Sequence, residues 1–114
     1  WAQRLLGRYG SQAKAMLEYA PPAERQRITG TDFCLAECRW AARHEAVAHL
    51  DDLLLRRTRL GMVMVHGGSE LLPSLEAICK SELGWDSAQW RLEVKRYLSI
   101  WQRFYSLPED NDRP

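Results

Sequence analysis

The longest uninterrupted segment reads Thr31-Asp32-Phe33-Cys34-Leu35-Ala36-Glu37-Cys38-Arg39-Trp40-Ala41-Ala42-Arg43-His44-Glu45-Ala46-Val47-Ala48-His49-Leu50-Asp51-Asp52-Leu53-Leu54-Leu55-Arg56-Arg57-Thr58-Arg59-Leu60-Gly61. From Asp32 to Leu60 it has no proline or glycine, and it is rich in the helix formers Ala, Leu and Arg. Thr31 or Asp32 can cap its start, since either side chain accepts a hydrogen bond from a free first-turn N–H. On a wheel of 100° per residue, Leu35, Ala36, Trp40, Ala42, Ala46, Val47, Leu50, Leu53 and Leu54 share one arc. Glu37, His44, Glu45, Asp51, Asp52, Arg56 and Arg59 fall mostly outside it. Arg39, Arg43 and Arg57 fall inside. A buried guanidinium is costly unless paired, so these three require either snorkelling side chains or carboxylate partners from elsewhere. Asp51-Asp52 before Leu53-Leu54-Leu55-Arg56-Arg57 resembles a fresh helix start, acids in the first turn and bases in the last. Two versions stay open: one long helix, or two joined almost end to end with a break near Ala48-His49. Gly61 closes the element.

On the N-terminal side, Ala2 to Tyr9 reads as a short helix stopped by Gly10 in a left-handed cap. Ser11 offers a capping hydroxyl to a second helix, Gln12 to Tyr19, whose apolar face is Ala13, Met16, Leu17 and Ala20. Pro21-Pro22 ends it, because proline disfavours helix in the preceding residue. Ala23 to Gly30 is a polar linker with room for one helical turn.

On the C-terminal side, Met62-Val63-Met64-Val65 is the one strand-like run. A single short strand has no partner, so it reads as an extended, partly buried connector. Gly67-Gly68-Ser69 turns the chain, and Ser69 caps a helix from Glu70 to Leu83 that Gly84 ends. The last helix carries the clearest start signal. Asp86 is its N-cap, Gln89 the capping-box partner, and Trp85 and Trp90 form a staple across the start. Trp90, Val94, Tyr97, Trp101 and Phe104 then line one face until Leu107-Pro108 stops the helix. The fold class that follows is all-α, a compact bundle of about five helices with short connections. Residues 1–108 form a single helical domain, and 109–114 are a polar tail.

The totals narrow the functional classes. A chain of 114 residues makes one domain. Sixteen basic against fifteen acidic residues leave a net charge of +1, which gives no electrostatic footprint for nucleic acid. No apolar run approaches the roughly 20 residues that cross a bilayer. Three cysteines, an odd number, do not make a disulfide framework and suit a reducing, cytosolic setting. The chain opens on Trp1 with no charged-then-apolar leader, which reads as a piece of a longer protein.

Several constellations imitate chemistry. His44-Glu45-Ala46-Val47-Ala48-His49 has one residue too many for HExxH. Its histidines are five apart, about 140° on a helix, and converge on one metal only if the helix breaks between them. Cys34 and Cys38 share a face and supply half of a tetrahedral zinc site, with Cys79 as a third thiol and no obvious fourth ligand. The plainer reading is three buried structural thiols. Arg56-Arg57-Thr58-Arg59 is either an anion or partner contact or a set of helix C-terminal charges offsetting the dipole. Gly67-Gly68 alone is not a phosphate-binding fingerprint, and no nucleophile elbow or P-loop is present. No residue is assigned to catalysis, cofactor binding or metal binding.

The wording of the chain, beyond its composition, resembles a family. Ala36-Glu37, Arg43-His44-Glu45 and above all Leu50-Asp51-Asp52-Leu53-Leu54-Leu55-Arg56-Arg57-Thr58-Arg59-Leu60-Gly61 are similar to the C-terminal helical domain of the FAD-dependent glycerol-3-phosphate dehydrogenases and the related α-glycerophosphate oxidases. Arg8-Tyr9-Gly10-Ser11 before and Glu82-Leu83-Gly84-Trp85-Asp86 after extend the resemblance in the same order. His49 stands where the family often has Ser or Thr, and 21–30 departs from the family's pattern. The resemblance implies a parent oxidoreductase that oxidises glycerol 3-phosphate to dihydroxyacetone phosphate on FAD. The flavin sits in an N-terminal portion outside this chain, and this piece holds no cofactor and catalyses nothing alone. Its partner is the N-terminal FAD/substrate domain of the same chain, with a homodimer as a further option. The parent's setting is cytoplasmic, peripheral on the inner membrane. Candidate interdomain contacts are Arg39, Arg43, Asp51, Asp52, Arg56, Arg57 and Arg59. The competing classes are a free-standing helical interaction module with an exposed apolar patch, and a metal-binding regulator built on Cys34, Cys38, Cys79 and His44 or His49.

Overall fold

The computed structural model describes residues 2–58 and 60–105. Expectations placed on Arg59, on the Leu107-Pro108 stop and on 109–114 fall outside these residues, as does the side chain of Arg56. The described chain is all-α. Its helices are α1 (Ala2–Tyr9), α2 (Gln12–Tyr19), α3 (Leu35–His44), α4 (Leu60–Val63), α5 (Leu72–Leu83) and α6 (Ser87–Tyr105).

The glycine and proline signals place the first helices. Gly10 takes φ +58°, a left-handed conformation open to glycine, and its N–H bonds the Leu6 carbonyl at 2.8 Å. Ser11 does not cap α2: it is already helical, its hydroxyl makes no capping bond, and the Ala13 N–H goes to the Gly10 carbonyl at 3.2 Å. Pro21 breaks α2, and Pro22–Glu24 form a single 3₁₀ turn. A loop then folds back on itself, with the Ile28 N–H on the Phe33 carbonyl at 2.7 Å. Thr31 is used inside this loop. Its Oγ1 donates to the Ile28 carbonyl and accepts from the Phe33 N–H. It is therefore not the cap of the central helix, which begins three residues beyond Asp32, at Leu35.

The central stretch is two segments. α3 ends at His44, and Glu45 is extended at φ −115°, ψ 163°. The break thus begins three residues before the expected point at Ala48. The chain re-enters helix at Leu50 and widens at Asp52–Arg57, where the Thr58 N–H reaches back five residues to the Leu53 carbonyl at 3.1 Å. The buried Thr58 hydroxyl donates to the same carbonyl at 2.9 Å.

Gly61 does not close this element. It lies within α4, where the backbone passes so close to Tyr97 that a Cβ would overlap the phenol oxygen. The run from Met62 to Val65 is not an extended connector either. Residues 60–63 are helical, only Met64 is extended, and Val65–Leu71 form 3₁₀ turns. Helical hydrogen bonding satisfies a backbone that a lone strand would leave unpaired. Those turns absorb Ser69, so α5 starts at Leu72 rather than Glu70, with Pro73 in its first turn and Gly84 at φ +71° after its end. α6 begins as read: Asp86 Oδ1 accepts the Gln89 N–H at 2.7 Å, and the Trp85 and Trp90 rings lie 6.4 Å apart. The Gln89 side chain, however, turns away from the cap to Glu93.

α3, the widened turn, α5 and α6 enclose the main core. Leu50, Leu53, Leu54, Leu60, Leu75, Ile78 and Tyr97 are fully buried in it, with Cys38 and Cys79. Burial of each large apolar side chain contributes roughly 1.5–3 kcal/mol. A smaller cluster of Ala20, Cys34 and Ala36 seats α2 on α3.

Candidate functional site

Three buried carboxylates hold the helices in place. Glu37, expected outside the apolar arc, is 1% exposed. Both its oxygens accept from Arg4 Nη2 at 2.8 Å, Oε1 also from the Tyr9 hydroxyl at 3.0 Å, and Oε2 also from the Cys34 N–H at 2.8 Å. One side chain thus caps α3 and clamps α1 onto it. Arg4 also lies 4.6 Å over the Phe33 ring. Burial first, then the facing Glu37 charge, holds the Tyr9 phenol well above its usual range.

Glu82 on α5 is the second. It accepts from Arg39 Nη1 and from the Tyr19 hydroxyl, each at 2.8 Å, while Arg39 also grips Glu24 through Nε at 2.7 Å and Nη2 at 2.8 Å. The Glu24 bond holds the Arg39 guanidinium above its ordinary value.

Glu93 on α6 is the third, 3% exposed. It accepts from the Leu50 N–H and from Gln89 Nε2, both at 3.0 Å, and pairs with His49 Nδ1 at 2.9 Å. Asp52 Oδ2 takes the N–H groups of Ala48 and His49 at 3.0 and 2.9 Å. Two carboxylates, one local and one from a distant helix, therefore satisfy the donors that the helix restart exposes.

These networks place the charged candidates. Arg39 is held inside the domain by Glu24 and Glu82, which meets the requirement for carboxylate partners. Arg43 is half exposed, 3.8 Å from Glu82 and over the Tyr19 ring at 4.9 Å. Asp51 pairs with Arg96 at 3.2 Å, and Asp52 caps the restart. Arg57 lies 3.6 Å from Glu45, and its carbonyl accepts from Arg8 at 2.6 Å. The five candidates among the described residues, Arg39, Arg43, Asp51, Asp52 and Arg57, thus have separate partners. Glu93 escaped the sequence reading although it stands on the Trp90–Tyr97 face of α6. A lone carboxylate on an apolar stripe was the available signal. Glu37 had the capping-box spacing from Cys34, masked because cysteine is not a usual cap.

The imitations of chemistry resolve into packing. His44 packs against Trp40 with ring centroids 4.0 Å apart and planes tilted by 41°, and His49 belongs to Glu93 on the far side of the break. All three thiols are free and buried. Burial raises Cys34 to about 11 and Cys79 to about 12, far from a reactive thiolate. Among the described residues no group of three or more His, Cys, Asp or Glu comes together to hold a metal. Gly67 packs against the Trp101 ring, which lies 2.8 Å from where its Cβ would stand. Among the described residues no helix is long and apolar enough to cross a membrane. An apolar groove lies between α1 and α2.

Comparison with known proteins agrees with the resemblance in the sequence. A family model described as the C-terminal domain of alpha-glycerophosphate oxidase matches residues 1–90. The chain is similar to Glycerol-3-phosphate dehydrogenase 2 of Mycobacterium tuberculosis, 31% identical over 100 residues, which is 85% of this chain and 17% of that protein. The same figures hold for Glycerol-3-phosphate dehydrogenase 2 of Mycobacterium bovis. It is also similar to a probable mitochondrial glycerol-3-phosphate dehydrogenase of Caenorhabditis elegans, 29% identical over 102 residues, 83% of this chain and 14% of that protein. The chain thus spans less than a fifth of these relatives' length. No solved structure matches it significantly. With four-fifths of its residues inside the family model, the chain belongs to the family of C-terminal domains of alpha-glycerophosphate oxidase.

Proposed function

We propose that this chain is the C-terminal accessory domain of an aerobic-type, FAD-dependent glycerol-3-phosphate dehydrogenase. The parent oxidises glycerol 3-phosphate to dihydroxyacetone phosphate, and the flavin, held by the N-terminal part, takes up the two electrons. This domain packs on that part and catalyses nothing alone. Its setting is the parent's, cytoplasmic and peripheral on the inner membrane. The observation that carries the reading is the family match over residues 1–90, which contains the motifs from Arg8 through Asp86 in order. The structure supports it from another side: Glu37, Glu82, Glu93 and Arg39 are consumed by internal pairs, as a scaffold requires. Among the described candidate arginines, Arg43 and Arg57, whose side chains are 53% and 41% exposed, keep surface for another domain.

Reading the gene upstream of Trp1 tests this. A strand–turn–helix with G-x-G-x-x-G, whose glycines let a backbone approach a pyrophosphate, is the expected result. An open reading frame that starts near Trp1 overturns the proposal.

A further inference from the structure

α1 and α2 diverge to leave a groove of about 370 Å³. Leu5, Leu6 and Leu17 give it apolar walls, and Lys14, Glu18 and Arg25 stand at its rim. Leu5 is buried, but Leu6 is 62% exposed. Leu92 on α6 is as exposed, at 64%, yet it does not line this groove. A single exposed leucine is ordinary on a soluble domain, whereas several apolar side chains sharing one concavity mark a contact surface.

We propose that this groove seats the catalytic domain that precedes this one in the same polypeptide, taking one or two of its large apolar side chains. The proposal rests on the chain being the C-terminal domain of such an enzyme. In that arrangement the preceding polypeptide enters at α1, whose residues form one wall of the groove. The curated relatives are more than five times as long as the matched region, so a body far larger than this domain is tethered beside the groove. Tethering through a short linker gives such a neighbour an effective concentration in the millimolar range. The rim carries both signs of charge, which suits the polar border of a protein interface rather than a polyanion.

The test uses the full-length parent with one cysteine introduced at a time, Leu6→Cys or Leu92→Cys. Maleimide labelling is followed by peptide mapping. The native thiols of this domain are buried and stay silent. Labelling of the Leu6→Cys thiol at least ten-fold slower than the Leu92→Cys thiol, at all protein concentrations, is the expected result. Equal rates overturn the groove assignment while leaving the accessory-domain reading intact. Protection that disappears on dilution assigns the groove to a second copy and also overturns it. Release of residues 1–114 as a loose, separately cleaved unit under mild proteolysis removes the accessory-domain reading and this proposal together.

Discussion

Glu37 shows how much one side chain can organise. It lies in a stretch where every neighbouring position reads as helix, and its one distinguishing signal, the capping-box spacing from Cys34, involves a residue that seldom caps. What buries it is Arg4, thirty-three residues away, together with Tyr9 and the Cys34 N–H. Removing one partner of a buried pair leaves an uncompensated group and costs roughly 3–5 kcal/mol. Glu37→Gln is therefore expected to lower the unfolding free energy by about that amount in urea titration, and a loss below about 1 kcal/mol would contradict the role assigned to it. The thiols make a second prediction. Burial holds Cys34 at about 11 and Cys79 at about 12 in the fold, against 9.0 for an ordinary thiol. The folded chain therefore keeps protons that the unfolded chain releases. Stability is full below pH 9 and falls as pH rises towards 11–12, each thiol adding about 1.4 kcal/mol per pH unit. Urea midpoints at about pH 8 and about pH 10.5 should show the fall, and replacing Cys79 by Ala should make it shallower.

At the level of elements, the sequence announces starts and stops that local chemistry controls. Gly10, Pro21, Gly84 and the Asp86 cap stand where their residue types require. It conceals those that distant groups control. The break at Glu45 is stabilised by Glu93, forty-three residues beyond Leu50, which accepts donors that a continuous helix would have paired internally. Glu93→Ala strands the Leu50 N–H in a buried site. It is expected to cost about 2–4 kcal/mol, more than the roughly 1 kcal/mol of an exposed cap, and to speed amide exchange at Leu50 before the rest of the core. Unchanged exchange there would show that Asp52 alone holds the restart. Glycine often ends helices, yet Gly61 lies inside one. Its real constraint is space, since α4 lies directly against Tyr97, whose hydroxyl donates to the Gly67 carbonyl at 2.6 Å. Gly61→Ala should destabilise by about 1–3 kcal/mol through overpacking. Tyr97→Phe removes the clashing oxygen, so the double variant should lose at least about 0.5 kcal/mol less than the two single losses combined. Strict additivity would place the clash elsewhere.

For the whole molecule, fold class and family were legible in the sequence because they rest on ordered local signals spread along the chain. The function of the surface was not. The five described residues among the charged candidates of the central stretch, Arg39, Arg43, Asp51, Asp52 and Arg57, separate in the structure into internal pairs, a cap and half-exposed arginines, because a helical wheel shows direction but not what lies opposite. The groove between α1 and α2 was equally hidden, since it forms from two helices whose leucines each look like ordinary core residues. The central claim is that this domain serves a flavoenzyme without performing its chemistry. Glycerol 3-phosphate-dependent reduction of an artificial electron acceptor, measured in parallel on the full-length polypeptide and on residues 1–114, tests it most directly. Reduction by the full-length protein and none by the isolated residues is the predicted result. Reduction by residues 1–114 alone, or its absence from a folded full-length protein, would contradict the account.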